Sequence, residues 1–189
     1  MDLWNAINGR RAVRQYETEP IDRMALQKLI DAASMAPSNM NNQPWHYHIV
    51  SGPKRDALVK ILNRSTLMLA DIFADMDEAH VELAMKFFSD CGGAPVVIVV
   101  SVPETEDDEY KRLVDAIGCG CSIQNLQLAA YAEGLATCVL TISFWVKAEI
   151  AKFLRIHHRD VICCVLVGKP AQTPETPPRR GNVVTWVGT

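Results

Sequence analysis

The sequence predicts a single domain in which a central β-sheet is packed between helices. Strand-like and helix-like segments alternate along the chain, and this order places helices on the faces of a sheet. Two of the strand-like segments, residues 96–100 and 161–167, are continuous apolar runs typical of strands covered on both faces. A length of 189 residues is enough for one well-packed core and short for two.

The first half of the chain is predicted to be mainly helical. The first expected helix covers residues 2–9, with Leu3, Trp4 and Ile7 on one face. An amphipathic helix follows from Asp22 to before Pro37. We then expect a strand over residues 45–50, a helix from Pro53 and helical structure over 65–90. Gly9 is a suitable helix stop, and Asp22 is a suitable N-cap. Pro53 is favoured in the first turn of a helix.

The second half alternates strands with helices. After an acidic stretch at residues 104–109, expected to be a solvated loop, we expect a strand over 136–140, a helix over 147–154 and the buried strands already named. A long helix with apolar residues between positions 113 and 129 precedes Gly134, which marks its end.

The last twenty residues, 170–189, are predicted to form an extended arm. Four prolines make the first part of this segment extended, and an apolar patch follows at residues 183–187. Such a patch requires a sheet edge or a groove, on the same chain or on a second subunit. An intertwined dimer is therefore plausible.

Composition and charge exclude several classes of protein. A formal net charge of −3 argues against a general nucleic-acid binder. The longest apolar run, residues 94–102, is interrupted by Pro95 and Ser101 and is too short to cross a bilayer. The first residues lack the pattern of a secretory signal, so we expect a cytoplasmic protein.

The six cysteines favour buried thiols over a metal or disulfide site. Cys119 and Cys121 lie two positions apart in a helical pattern, and Cys163 and Cys164 are neighbours in a strand, so each pair points in divergent directions. No C-x-x-C pair exists. A cysteine-based metal or redox function is the less favoured alternative.

Three arginines follow the first helix and are candidates for anion binding. Arg10, Arg11 and Arg14 could simply complement the helix dipole, or their planar guanidinium groups could bind a phosphate. Arg179 and Arg180 in the tail present the same two possibilities.

The segment A-P-S-N-M-N-N-Q-P-W at residues 36–45, called the amide loop below, is too polar and too rich in proline for an ordinary helix. Ser38, Asn39, Asn41 and Gln43 offer the donors and acceptors that a flat, heteroatom-rich ligand requires. The same residue types also serve in caps and turns. Their density beside Pro44 favours ligand recognition.

Other sites are not supported by the sequence. His46 and His48 share a face of a strand, but no third metal ligand lies at a suitable spacing. We therefore expect no metal site. The G-x-G-x-x-G, Walker A and G-x-S-x-G motifs are absent, so dinucleotide-binding, P-loop and α/β-hydrolase functions lack their local signatures.

Five segments in order resemble the nitroreductase family of flavin enzymes, and together they cover most of the chain. They are R-R-A-V-R at residue 10, the amide loop, G-A-P-V-V-I-V-V at residue 93, Q-N-L-Q-L-A-A-Y-A-E-G-L-A-T at residue 124, and V-L-V-G-K-P followed by the arginine-bearing tail. The resemblance implies an α+β fold with a central mixed β-sheet flanked by helices. It also implies a homodimer with exchanged C-terminal arms and FMN at the interface.

The resemblance assigns cofactor contacts residue by residue. Arg10, Arg11 and Arg14 match the N-terminal basic motif, and Arg180, with Arg179, matches a phosphate contact of the tail. The partner's loop would supply Pro37, Ser38, Asn39, Asn41 and Gln43, and the contact after the strand would fall near Leu140, Thr141 and Ile142.

Three departures from the family pattern are visible. Ala12 stands where the family usually has a serine, Ala136 replaces a glycine, and residues 141–144 replace a glycine-rich turn. Residues 63–92, which would cover the outer face of the flavin, match least, so substrate choice depends on the least matched part of the chain.

The resemblance implies an FMN-dependent oxidoreductase that transfers hydride from NADH or NADPH to a small, electron-poor acceptor by a ping-pong mechanism. The flavin carries the chemistry, so no catalytic side chain is expected. A flavoprotein of the same fold with a dedicated substrate or a flavin-handling role is the alternative.

Overall fold

The computed structural model describes residues 1–105, 108–181 and 183–188. Four described strands form one sheet in the order β1-β2-β4-β3. Their bounds are His46–Ser51 for β1, Val96–Pro103 for β2, Ala136–Leu140 for β3 and Arg159–Gly168 for β4. All four predicted strands are present: β3 has its predicted bounds, β1 is shifted by one residue, β4 is longer by up to two residues at each end, and β2 extends three residues beyond its predicted end.

The α+β class and the helix-flanked sheet are confirmed, but the sheet is antiparallel rather than mixed. Each of its three strand pairings runs antiparallel. One long helix connects β2 to β3, so these two strands run in the same direction and would form a parallel pair if they were neighbours. Instead β4 lies between them. The described parallel contact is an isolated bridge from Ala12 to Thr137.

Seven described α-helices surround the sheet. They are α1 (Leu3–Gly9), α2 (Arg23–Ser34), α3 (Gly52–Asn63), α4 (Ala70–Ala74), α5 (Glu78–Asp90), α6 (Glu109–Ala132) and α7 (Lys147–Leu154). The Asp22 carboxylate accepts hydrogen bonds from the backbone N–H groups of Met24 and Ala25, which confirms it as the N-cap of α2. Gly134 has a φ of +73° just beyond α6, where the chain turns into β3.

The helical region predicted over residues 65–90 is divided into three pieces. A 3₁₀ segment, Arg64–Leu69, leads into the short helix α4, and α5 begins only after a break at the N-cap Asp77. The side chain of Asp77 accepts a hydrogen bond from the N–H of His80, so a new helix begins at this position. Residues 106 and 107, in the acidic stretch expected to be a loop, lie outside the described residues.

The sheet separates two apolar clusters. Cys164 and Leu166 of β4 face one cluster, while Cys163 and Val165 face the other. Adjacent residues of β4 therefore point in opposite directions, as the sequence predicts. Residues 96–100 of β2 are buried on both faces, which confirms the interpretation of their continuous apolar run.

Several apolar side chains are exposed on the single chain. The α1 face formed by Leu3, Trp4 and Ile7 is exposed, and so are Leu113 and Ile117 of α6, a helix that α1 contacts. Residues 183, 184, 186 and 187 of the tail are also exposed. No helix among the described residues combines the length and the hydropathy that a bilayer crossing requires.

Candidate functional site

The arginine motif lies in an extended segment beside β3. The N–H of Val13 donates to the carbonyl of Thr137 at 3.1 Å, and the N–H of Tyr16 donates to the carbonyl of Gly92 at 2.9 Å. The beginning of the C-terminal arm lies on the other side, where the N–H of Ala171 donates to the carbonyl of Gln15 at 2.9 Å. The arginine segment is thus fixed between the sheet and the arm.

Three guanidinium groups converge next to this segment. Burial, followed by the charges of Arg11 and Arg179, lowers the pKa of Arg10. The side chain of Arg11 also donates to the Thr176 hydroxyl at 2.6 Å, which ties the arm to the same place. Arg179 of the tail is therefore close enough to Arg10 for their charges to interact.

The positive charge of this cluster is not balanced by acidic side chains of the described residues. Among the residues that the structure describes, no carboxylate lies within salt-bridge distance of Arg10, Arg11 or Arg179. The Nε atoms of Arg10 and Arg11 are buried and have no hydrogen-bond partner among those residues. Unpaired buried donors on like charges are unfavourable. A phosphate would satisfy both the charges and the donors, so the cluster fits a phosphate-bearing cofactor.

Arg14 lies at a neighbouring cavity. This Arg14 cavity has a volume of about 790 Å³ and is bounded by the segment 14–18 and by α5. A smaller cavity of about 260 Å³ is lined by Arg11, and Gln172 lines both. The larger volume lies within the usual range for small-molecule sites.

Gly92 allows the close backbone approach that forms one wall of the Arg14 cavity. Its φ is +63°, and a Cβ atom there would lie 2.0 Å from the carbonyl oxygen of Arg14. Only glycine meets both requirements without a shift of the chain. The position of Arg14 therefore depends on this residue.

The amide loop is compact and strained. Met40, Asn41 and Gln43 have φ values of 48°, 55° and 45°, a conformation that costs on the order of 1–3 kcal/mol for each such residue. The Ser38 hydroxyl accepts from the N–H of Gln43 at 2.9 Å, and the Gln43 amide donates to the Asn41 side chain at 3.1 Å. Strain of this kind persists only where the surroundings hold it.

The loop also borders a cavity against α6. This Ser38 cavity, of about 250 Å³, is lined by Pro37, Ser38 and Asn39 from the loop and by α6 residues that include Gly118 and Ile117. It shares no lining residue with the Arg14 cavity or with the smaller cavity that Arg11 lines. Within one chain, the loop and the arginine cluster are therefore separate.

The remaining predicted site residues occupy the end of β3 and the tail. Leu140 is buried, Thr141 is exposed at the start of a 3₁₀ turn, and the hydroxyl of Ser143 donates to the carbonyl of Leu140 at 2.9 Å. Arg180 is exposed.

Two charged residues near the amide loop, buried Asp115 and partly buried Arg159, were not predicted from the sequence. Arg159 at the start of β4 and Asp115 on α6 both contact the loop, although they are far from it along the chain. The sequence signals that could have indicated them are weak. Arg159 is a charged residue at the edge of an apolar strand, and Asp115 is a charged residue within a helical apolar pattern.

The thiols are mostly inert. Cys121 is partly exposed, whereas the other five cysteines are buried. Burial raises the pKa of Cys119 to about 11 and that of Cys163 to about 12, so neither is a reactive thiolate near neutral pH. Within the described ranges, no group of three or more potential ligands could hold a metal ion.

A family model and curated relatives match most of the chain. The Nitroreductase family model matches residues 7–169. A 4-nitrobenzoate reductase of Pseudomonas putida is 27% identical over 86% of this chain and 82% of its own length. A putative NADH dehydrogenase/NAD(P)H nitroreductase of Methanothermobacter thermautotrophicus is 29% identical over 93% of this chain and 81% of its own.

Solved structures share the fold. The FMN and NADPH-dependent nitroreductase NfnB of Sphigopyxis sp. strain HMH superposes with a TM-score of 0.82 at 19% identity and covers all of both chains. The NfnB of Mycobacterium smegmatis, solved in complex with NADPH, has a TM-score of 0.74 at 22% identity, covering 92% of this chain and 93% of its own.

Proposed function

The chain belongs to the nitroreductase family, and from this membership we propose that it is an FMN-dependent oxidoreductase that uses NADH or NADPH to reduce electron-poor acceptors. Nitroaromatics and quinones are the acceptor classes to test first. When bound, FMN supplies the redox chemistry, taking hydride from the nicotinamide and passing it to the acceptor. The observation that carries this proposal is the convergence of Arg10, Arg11 and Arg179 without a carboxylate partner.

The arginine cluster would hold the cofactor's phosphate. Guanidinium groups bind phosphate oxygens in pairs, and the buried Nε donors of Arg10 and Arg11 are available for such bonds. Arg179 adds positive charge from the arm, with Arg180 next to it in the sequence. Phosphate binding would also fix the arm beside β3.

Arg14 would act on the redox part of the cofactor. It lines the larger of the two adjoining cavities, and Gly92 fixes its backbone. A cation there favours the reduced, more negatively charged form of the cofactor. Replacing Arg14 with Ala should weaken FMN retention or lower the flavin's potential. If neither property changes, Arg14 has no such role.

The second half of the site would come from a partner subunit. Three features support a homodimer: the exposed apolar residues of α1 and α6, the exposed apolar tail, and the separation of the amide loop from the arginine cluster within one chain. Across an interface, Pro37, Ser38, Asn39, Asn41 and Gln43 would face the cofactor of the other subunit, and Leu140 and Thr141 would border it from the same chain as the arginines.

The chain's own residues bind and orient rather than react covalently. The Arg14 cavity is partly open, and Leu83 of α5, one of its lining residues, is exposed. One such opening would serve the nicotinamide and the acceptor in turn, which predicts a ping-pong sequence.

The test begins with the purified protein. It should be yellow, release FMN on denaturation and lose its colour when NADH or NADPH is added without oxygen. Initial rates at several fixed acceptor concentrations should give parallel double-reciprocal lines. Intersecting lines would reject the ping-pong sequence alone, whereas a colourless protein that cannot be reconstituted with FMN would reject the proposed function.

A panel of acceptors separates the proposed activity from a dedicated one. Comparable kcat/KM values for several nitroaromatics and quinones would support a broad oxidoreductase. A flavin that is reduced by NAD(P)H but reoxidised by none of them would support the flavin-handling alternative.

A further inference from the structure

A partly buried arginine, Arg159, joins the amide loop to the centre of the sheet. One guanidinium nitrogen of Arg159, Nη2, donates to the carbonyl of Pro44 at 2.6 Å and to the carbonyl of Ser101 at 2.9 Å. Its Nε donates to the Ser101 hydroxyl at 3.1 Å. Arg159 thus connects the end of the loop to β2 through β4.

The cation that makes these contacts has no acidic partner among the described residues, because no carboxylate there lies within salt-bridge distance of Arg159. A partly buried charge without a counter-ion gains little stability for the fold. Its three hydrogen bonds instead define the position of one backbone carbonyl relative to a rigid strand.

A buried carboxylate contacts the middle of the same loop. Asp115 of α6 is only 3% exposed. Its Oδ1 accepts from the Asn42 side chain at 3.4 Å, while its Oδ2 accepts from Lys111 at 2.6 Å. The loop is therefore tied at two points, to the sheet through Pro44 and to α6 through Asn42.

We propose that Arg159, assisted by Asp115, is a positioning residue that keeps the amide loop in the conformation that binds the cofactor. The inference rests on the proposed function, in which Ser38 and Asn39 of this loop contact FMN. The loop contains no glycine, yet three of its residues have positive φ, so it needs outside contacts to keep this shape.

The effect on binding follows from the population of the loop. When the binding conformation is only partly populated, the apparent Kd rises in inverse proportion to that population. Loss of the hydrogen bond from a charged donor to the Pro44 carbonyl should lower this population about tenfold. Arg159 itself need not touch the cofactor.

The experiment compares Arg159→Met, which keeps the volume but removes the donors, with Arg159→Lys, which keeps one charged donor. Arg23→Met is the matched control, because Arg23 is exposed at the start of α2. FMN is titrated into each apo protein by flavin fluorescence, and hydrogen exchange is measured for peptides covering residues 36–45 and for β2 and β4.

For Arg159→Met we expect about tenfold weaker FMN binding and faster exchange in the loop, with exchange in β2 and β4 unchanged. Arg159→Lys should be intermediate, and Arg23→Met should match the wild type. This locality distinguishes positioning from a general structural role, which would speed exchange in loop and strands together.

Three results would overturn the inference. One is wild-type FMN affinity together with wild-type loop exchange in Arg159→Met. Another is hydrogen exchange that becomes faster to the same degree in the loop and in the strands of Arg159→Met and is not restored in Arg159→Lys. If Arg159→Met does not fold, Arg159→Leu takes its place, and wild-type affinity with wild-type loop exchange in that variant is the third. A wild-type protein that fails to bind FMN refutes the proposed function instead, and loop exchange still tests Arg159.

Discussion

Replacement of Arg10 by Met should weaken FMN binding without destabilising the apo protein. Arg10 stands close to Arg11 and Arg179, and its pKa is lowered by burial and by those two charges. Repulsion among the three groups disfavours the folded apo protein, so removing one of them relieves it. The same removal deletes a donor to the proposed phosphate.

The size of the effect follows from the contact that is lost. A hydrogen bond to a charged group contributes about 1.5–3 kcal/mol, which corresponds to about 10- to 150-fold in Kd. Arg10 is only partly buried, and solvent screens part of its interaction. We therefore expect an effect near the lower limit, about tenfold. The affinity of the wild type should also fall more steeply with added salt than that of the variant.

The assay is a fluorescence titration of apo protein with FMN at two salt concentrations, together with urea unfolding of the apo protein. Arg23→Met again serves as the control for loss of an exposed arginine. Wild-type affinity in Arg10→Met would refute the phosphate assignment. A clear loss of apo stability would show that Arg10 supports the fold and not an anion site.

Three further outcomes are expected. Leu126→Ala, at a fully buried position of α6, should lower the free energy of unfolding in urea by about 2–5 kcal/mol, and a loss below about 1 kcal/mol would contradict its packing. Burial, followed by the charges of His46 and Arg159, lowers the pKa of His48 to about 4. The unfolded chain therefore binds a proton at His48 more readily than the folded chain does. The stability contributed by neutral His48 is present above pH 6.5 and is lost as the pH falls towards 4. In His48→Gln the urea midpoint of unfolding should therefore change less with pH over that range than it does in the wild type. An equal pH dependence of the midpoint in both proteins would refute the assignment. Ile117→Glu, on the exposed face of α6, should give a monomer by light scattering, while Met24→Glu on α2 leaves a dimer; a dimeric Ile117→Glu protein would place the interface elsewhere.

The strands and long helices could be predicted from the sequence because their signals are local. The continuous apolar run of β2 and the Asp22 cap each depend on a few neighbouring residues. The pairing of the strands does not. The position of β4 between β2 and β3 makes the sheet antiparallel, and local periodicity carries no information about strand order.

The candidate site could be predicted from the sequence only in part, for the same reason. The polar character of the amide loop is visible in the sequence, but the positive φ values of Met40 and Gln43 are not. The contacts from Arg159 and Asp115 join residues far apart along the chain, so no spacing rule finds them. The proximity of Arg10 and Arg179 likewise becomes visible only when the arm is seen beside β3.

The fully covered strand β2 also affects how the chain reaches its native state. Val97 pairs with Leu166 of β4, which lies much later in the chain. During folding, β2 is therefore exposed on one edge until β4 pairs with it. During that interval, residues 96–100 present uncharged, β-branched side chains and free peptide groups, the kind of segment that stacks between molecules. Closure within one molecule does not depend on concentration, whereas stacking between molecules increases with it. Recovery of active protein from denaturant should therefore rise on dilution.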